Sequence, residues 1–365
     1  MYVEKRGEKF LAIERYKDKS GKVRRVSVTM DRNTAQSRRA ASEQLAKKIA
    51  GRNRKISDFT FSEAKDAYVK WLKITVKPQT VIRNECSLKR IMSLTGDIPM
   101  DDLTAGRVMD ALIGYKNKPV TVNQYIKRFK AFIRWAYKND YISSTICIDK
   151  LDNLPDKTKR ERIADKYLEP DELKTVLIGA SDYYRNIIEF MVLTGMRIGE
   201  VVALYDSDVD LKNKTITINK TYSPVVGQIG TPKTPTSEDV ISIQPELVPV
   251  IKRIRMMSNA NRIINRKPRE RVFIVNQYGT HMSYEKFSRE FKDLTERTIG
   301  RRLTPHSLRH THASMLAAAG VPLDVISRRL RHADSKVTKE IYLHVTEKLR
   351  ESDAAALASV RMIAN

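Results

Sequence analysis

The chain has 365 residues, with 68 Lys and Arg against 43 Asp and Glu, and a formal net charge of +25; that excess points to a polyanionic partner. No apolar stretch approaches the roughly 18 to 20 residues of a membrane span and no signal peptide opens the sequence, so a membrane protein is excluded and a cytoplasmic one expected. Cys86 and Cys147 stand in helical patterns without metal-ligating neighbours, which argues against a zinc site or disulfide and predicts two small buried side chains.

Residues 1–56 read as a small β-sheet plus a helix. LAIERY and VRRVSVTM are β-prone runs, and Lys19-Ser20-Gly21-Lys22 between them is a hairpin signal. Asn33 or Thr34 can cap a helix through AQSRRAASEQLAKKIAG that stops at Gly51. The strands carry Lys5, Arg6, Lys9, Arg15, Lys17, Lys22, Arg24 and Arg25, and a β-ribbon with this charge can enter a major groove. DNA contact by Lys5, Arg6, Arg15, Arg24 and Arg25 is therefore weighed above a merely solvated basic surface.

Residues 57–152 are helical by period. Phe61, Ala64, Ala67, Tyr68, Trp71 and Leu72 recur at three- and four-residue spacing, as do Val81, Leu88, Ile91 and Leu94. Two more helices are predicted near Thr104–Tyr115 and Thr121–Asn139. The second pairs an apolar stripe with Lys127, Arg128, Lys130 and Arg134, so one face packs and the other is basic; Lys127, Arg128 and Arg134 are candidate DNA contacts. Residues 153–168 are polar and charged, as suits an exposed linker.

From residue 169 to 350 the chain carries chemistry. YYRNIIEFMVLTG reads as a buried helix ending at Gly195, so Arg197 follows a helix break, and Glu200, three residues on, can pair with it. The strands KTITINK and VISIQ flank a Gly- and Pro-containing hairpin with Lys233 in it, while Lys214 and Lys220 lie nearby. Thr304-Pro305 signals a helix start, with Thr as N-cap and Pro at the first position. His306 and Arg309 then share a face one turn apart, His310 is adjacent, and the free N–H groups of that end attract an anion. Leu308, Met315 and Leu316 are expected in the core, and His312 is read as structural. A helix opened by Pro322 ends at His332, and Tyr342 follows ten residues later on a short helix capped by Asp334 or Ser335. Residues 351–365 form a tail with a small apolar face.

Two arginines can neutralise the nonbridging oxygens of one phosphodiester, histidines and a lysine can move protons, and a phenol can attack phosphorus. Arg197, Lys233, His306, Arg309, His332 and Tyr342, in this order and spacing, are similar to the catalytic set of the tyrosine recombinases, the phage and transposon integrases in particular. The resemblance is close over about residues 170–350 and one of layout before that. It implies a multidomain, mainly α protein: a sheet-plus-helix module for arm-type DNA, a helical core-binding domain forming half of a clamp, and an α+β catalytic domain. It implies that Arg197 and Arg309 grip the scissile phosphate with Glu200 supporting, and that Lys233 is the general acid for the leaving 5′ oxygen. His306 and His332 would bond to the phosphate region, His306 as candidate proton acceptor, and Tyr342 would form a 3′-phosphotyrosine. Because bond energy is retained, neither a metal, a cofactor nor ATP is expected.

The implied partners are double-stranded DNA attachment sites of core and arm type, a homotetramer, an excisionase and a host DNA-bending protein. Two departures stand out: Ser237-Glu238-Asp239 where the family has a basic residue after the serine, and Arg331 where it usually has glycine. Arg331 is expected to point outward, where its charge adds a phosphate contact. A type IB topoisomerase, an Xer-type resolving recombinase and a DNA-binding protein that has lost cleavage are the alternatives. The separate basic N-terminal module speaks against the first two, and the intact residue set against the third.

Overall fold

The computed structural model describes residues 1–17, 23–53, 59–115, 118–155, 163–231, 239–267, 272–331 and 336–359. The chain is mainly helical with small sheets and falls into two compact units, Met1–Lys157 and Thr158–Asn365.

The first unit opens with an antiparallel meander of β1 (Tyr2–Arg6), β2 (Lys9–Lys17) and β3 (Val23–Met30). Helix α1 (Ala35–Asn53) follows, capped by Thr34, whose Oγ1 accepts the Ser37 N–H at 3.2 Å, and it runs two residues past Gly51. The expected turn at residues 19–22 lies outside the described residues. Strand alternation puts Ala12, Val26, Val28 and Met30 on one face, buried with Ala41 and Leu45 of α1. The register divides the predicted basic residues between the two faces. Lys5 pairs with Phe10 and Arg24 with Tyr16, both on the α1 side, while Arg15 pairs with Arg25 on the other side, which Arg6 shares. All five side chains are exposed.

A separate core is built by α2 (Phe61–Thr75), α3 (Pro78–Thr95), α4 (Ala105–Gly114), α5 (Pro119–Lys138) and the short α6 (Ile146–Asp149). Thr60 and Glu63 close a capping box at the start of α2, satisfying two orphan N–H groups. Phe61, Leu88, Ile126, Phe129 and Phe132 are fully buried, each such side chain stabilising the fold by about 1.5 to 3 kcal/mol. Trp71 departs from the expected stripe. It is 42% exposed, at the margin of the face set by Phe61, Ala64, Tyr68 and Leu72, and stacks on Tyr68. Cys86 is likewise exposed rather than buried, because α3 packs through Asn84, Ser87, Leu88 and Ile91; Cys147 is half-buried, and both thiols are free. On α5, Lys127 and Arg134 are exposed, whereas half-buried Arg128 donates from Nη1 to Ser87 Oγ of α3 at 2.9 Å.

In the second unit, Tyr167 and Leu168 are buried, and the Leu168 N–H donates to Thr311 Oγ1 at 2.9 Å. The chain from Ile163 onward therefore packs as part of this unit. Helices α7 (Pro170–Gly179), α8 (Asp182–Thr194) and α9 (Ile198–Ala203) come first, then strands β4 (Val209–Asp210) and β5 (Thr215–Ile218). A hairpin of β6 (Thr221–Ser223) and β7 (Gln228–Gly230), too short to show a period-2 signal, precedes β8 (Asp239–Ser242), which pairs with β5. Helices α10 (Leu247–Ile264), α11 (Tyr284–Ile299), α12 (His306–Ala318), α13 (Leu323–Arg329) and α14 (Lys336–Ser359) complete it. The main core joins Ile187, Phe190 and Met191 of α8 to Ile251, Ile254, Phe287, Phe291 and Leu308. Met315, expected inside, is 40% exposed.

The last helix also differs from expectation. Tyr342 lies on one helix of 24 residues that takes in the start of the tail, not on a short helix of its own. Its expected caps, Asp334 and Ser335, lie outside the described residues. Among the described residues no helix is long and apolar enough to cross a membrane.

Candidate active site

Helix α8 ends at Gly195, a left-handed residue with φ +65°. A Cβ there would lie 2.6 Å from His312 Cδ2 and 2.8 Å from Leu330 Cδ2, so both the dihedral and the space demand glycine. Two residues on, Arg197 takes the N-cap position of α9. Its backbone N–H donates to Glu200 Oε2 at 2.9 Å and its Nη1 to Glu200 Oε1 at 2.8 Å. The carboxylate is almost fully covered, the guanidinium about one-third exposed, at 34%. Among the described residues Nε and Nη2 of Arg197 carry no partner, so the pairing aligns the group and leaves its other edge open.

Helix α12 supplies the second arginine. It is bounded at His306, one residue later than the sequence suggests, although Pro305 already has helical dihedrals. Arg309, 1% exposed, donates from Nη1 to the Gly195 carbonyl at 2.6 Å and from Nη2 to the Leu330 carbonyl. It thus ties the turn before Arg197 to the end of α13. Burial first, and Arg197 second, lower its pKa to about 9 against the pull of Glu200, so it remains charged at neutral pH. His306 stands one turn earlier, open to solvent, with its ring edge-on to His310 at 4.6 Å. One edge of the ring faces solvent while the rest lies among its neighbours, and that partial desolvation, then Arg309 and Arg197, pushes its pKa below the ordinary histidine value. The neutral form, which can accept a proton, is favoured. His310 is pushed down to about 3, mostly by burial and next by His306.

Helix α13 ends at Arg329, not at residue 332, and Arg331 adopts φ +54°. Contrary to expectation Arg331 points inward: its side chain is fully covered and Nη2 donates to Glu200 Oε2 at 2.5 Å. The left-handed backbone turns the side chain back toward a carboxylate that offsets its charge. His332 and Lys233 lie outside the described residues. Of the neighbouring lysines, Lys220 is paired with Asp208 at 2.8 Å and lies 4.5 Å over the Tyr205 ring, an internal commitment.

Tyr342 is half-buried and packs on the cluster of Tyr167, Ala313, Leu330 and Ile341, which joins α14 to α12. Of the other tyrosines considered, Tyr205 lies under Lys220, and Tyr284 opens α11 beside Tyr222, its pKa raised chiefly by burial. The structure therefore brings Arg197, Glu200, His306, Arg309 and the inward-turned Arg331 into one cluster, with Tyr342 on a helix packed against α12.

His312, one turn beyond Arg309, belongs to the core. Its Nδ1 donates to the Val192 carbonyl at 2.6 Å and its Nε2 accepts from Arg329 Nε at 3.1 Å, which fixes a neutral ring. Burial, then Arg329, lower its pKa to about 3. The unfolded chain takes up this proton near pH 6.5 and the folded chain does not, so stability falls as pH drops from about 6.5 toward 3, by about 1.4 kcal/mol per unit from this residue. Urea denaturation between pH 7 and 5 should show a steeper loss for the native protein than for His312→Gln. Parallel slopes would contradict this assignment.

The profile of the Phage integrase family matches residues 166–348. An integrase of Staphylococcus phage L54a is 32% identical over 62% of this chain and 71% of its own length. A probable integrase of prophage ps2 in Lactococcus lactis subsp. lactis is 27% identical over 94% and 95%. Among solved structures, the Tn1549 transposon integrase in complex with transposon right end DNA superposes with a TM-score of 0.63 at 22% identity, over 82% of this chain and all of that one. A lambda integrase tetramer bound to a Holliday junction gives 0.60 at 17%, over 92% and 96%. The fold is that of the integrases. The chain belongs to the phage integrase family and is a site-specific tyrosine recombinase of the kind that integrates and excises mobile elements.

Proposed function

We propose that this recombinase cuts double-stranded DNA at attachment sites with Tyr342 as nucleophile and rejoins it to a partner strand. The arrangement of Arg197 and Arg309 around Glu200 carries the reading. Three guanidiniums, that of Arg331 included, and one carboxylate leave net positive charge where a phosphodiester would sit, and the phosphate's nonbridging oxygens gain charge-assisted hydrogen bonds from Arg197 and Arg309 as the transition state forms. His306, neutral at the mouth of the cluster, takes the phenol proton as Tyr342 attacks phosphorus in line. The P–O5′ bond breaks, Lys233 protonates the departing 5′ oxygen, and His332 bonds to the phosphate. The products are a 3′-phosphotyrosine and a free 5′ hydroxyl, and attack by a second strand's 5′ hydroxyl reverses the step without ATP.

Residues 1–56 serve arm-type sites and residues 57–152 the core site, through Lys5, Arg6, Arg15, Arg24 and Arg25 in the first module and Lys127, Arg128 and Arg134 in the second. The reaction runs in the bacterial cytoplasm on a homotetramer, with an excisionase and a host DNA-bending protein setting direction; the similarity to a lambda integrase tetramer bound to a Holliday junction supports the assembly. Two plasmids bearing the element's own attachment sequences, incubated with the protein in EDTA without ATP, should yield joined recombinant DNA. Plasmid relaxation without joining would favour the topoisomerase reading, and binding without any strand cleavage would favour a cleavage-inactive protein.

A further inference from the structure

Arg331 occupies an expensive position. A non-glycine residue at φ +54° is strained, and its guanidinium is wholly covered, with Nε and Nη1 finding no hydrogen-bond partner among the described residues. What it gains is one contact, with Glu200 Oε2 at 2.5 Å. That oxygen also accepts the Arg197 backbone N–H, while Oε1 accepts Arg197 Nη1. The carboxylate is thus divided between two guanidiniums.

A carboxylate facing one arginine alone favours two parallel hydrogen bonds with it, fork to fork. With Oε2 taken by Arg331 and by the Arg197 backbone N–H, the Arg197 guanidinium is held through Nη1 only, and Nε and Nη2 are left for another acceptor. Arg331 also offsets the Glu200 charge, which would otherwise attenuate the field that Arg197 and Arg309 present to an anion.

We propose that Arg331 is a positioning residue for strand cleavage: by taking one oxygen of Glu200 it keeps the Arg197 guanidinium singly bonded and its free edge turned to the scissile phosphate. This rests on the role assigned to Arg197 above. Arg331 itself, being fully covered, touches no DNA.

The test is single-turnover cleavage of a nicked attachment-site substrate by full-length protein, with duplex binding and melting temperature measured on the same preparations. Arg331→Gly removes both the backbone strain and the guanidinium, so it should melt no lower than the native protein and bind DNA equally, yet cleave about 10- to 100-fold more slowly. Arg331→Lys, which keeps the charge and one donor, should recover part of that loss. Glu200→Gln supplies the readout that a merely structural role would not move: in that background Arg331→Gly should have little further effect, because both changes act on the same pairing. Native-rate cleavage by Arg331→Gly, or an undiminished penalty in the Glu200→Gln background, would overturn the proposal. If the native protein itself formed no covalent adduct, the failure would lie with the proposed reaction and not with Arg331.

Discussion

Tyr342→Phe is expected to bind attachment DNA as the native protein does and to form no covalent adduct on a nicked suicide substrate. The substitution removes a single oxygen from a half-buried ring that packs on Tyr167, Ala313, Leu330 and Ile341, so folding and the basic DNA-binding surfaces are unaffected. In the proposed reaction that oxygen is the atom that bonds to phosphorus. The loss should therefore be complete within detection, unlike the graded loss from removing a proton carrier such as Lys233. An adduct with Tyr342→Phe would shift the assignment to Tyr205 or Tyr284.

The second large effect is expected from Arg309→Ala. Removing one transition-state donor from a pre-organised site costs about 10²- to 10³-fold in rate. Here the structure adds a stability cost, because Arg309 is buried and satisfies the carbonyls of Gly195 and Leu330; each buried carbonyl left without a partner costs about 1 to 3 kcal/mol. Arg309→Lys keeps the charge but has no planar fork to reach two carbonyls at once, so it should cleave slowly and melt lower than the native protein. Cleavage rates and melting curves on both variants decide the matter. Near-native cleavage by Arg309→Ala would remove this residue from the phosphate site.

The parts of the site that were legible in the sequence are those fixed by short-range geometry. A helix break at Gly195, Glu200 three residues beyond Arg197, and His306 one turn before Arg309 each follow from spacing on a single element. The direction of Arg331 was not legible. It depends on a left-handed backbone at a residue that rarely adopts one, and on a carboxylate more than a hundred residues away in sequence. Similarly, the alternation of the N-terminal strands was readable, but which basic residues share a face depended on the pairing of Arg15 with Arg25 and of Arg24 with Tyr16. Cys86 and Trp71 sit on helices that were foreseen, at positions where one step around the helix decides between core and solvent. The continuation of α14 past Tyr342 had a readable cause that a domain boundary at residue 350 overrode: from Lys336 to Ser359 there is no Gly or Pro, and the later part is rich in Ala and Leu, strong helix formers.

The most direct measurement is the chemical identity of the covalent intermediate. A protein–DNA adduct trapped on a suicide substrate, trimmed with nuclease, digested with protease and read by mass spectrometry, should show one modified peptide, carrying a nucleotide through its 3′ phosphate on Tyr342. A nucleotide on Tyr205 or Tyr284, or a linkage through a 5′ phosphate, would contradict the account.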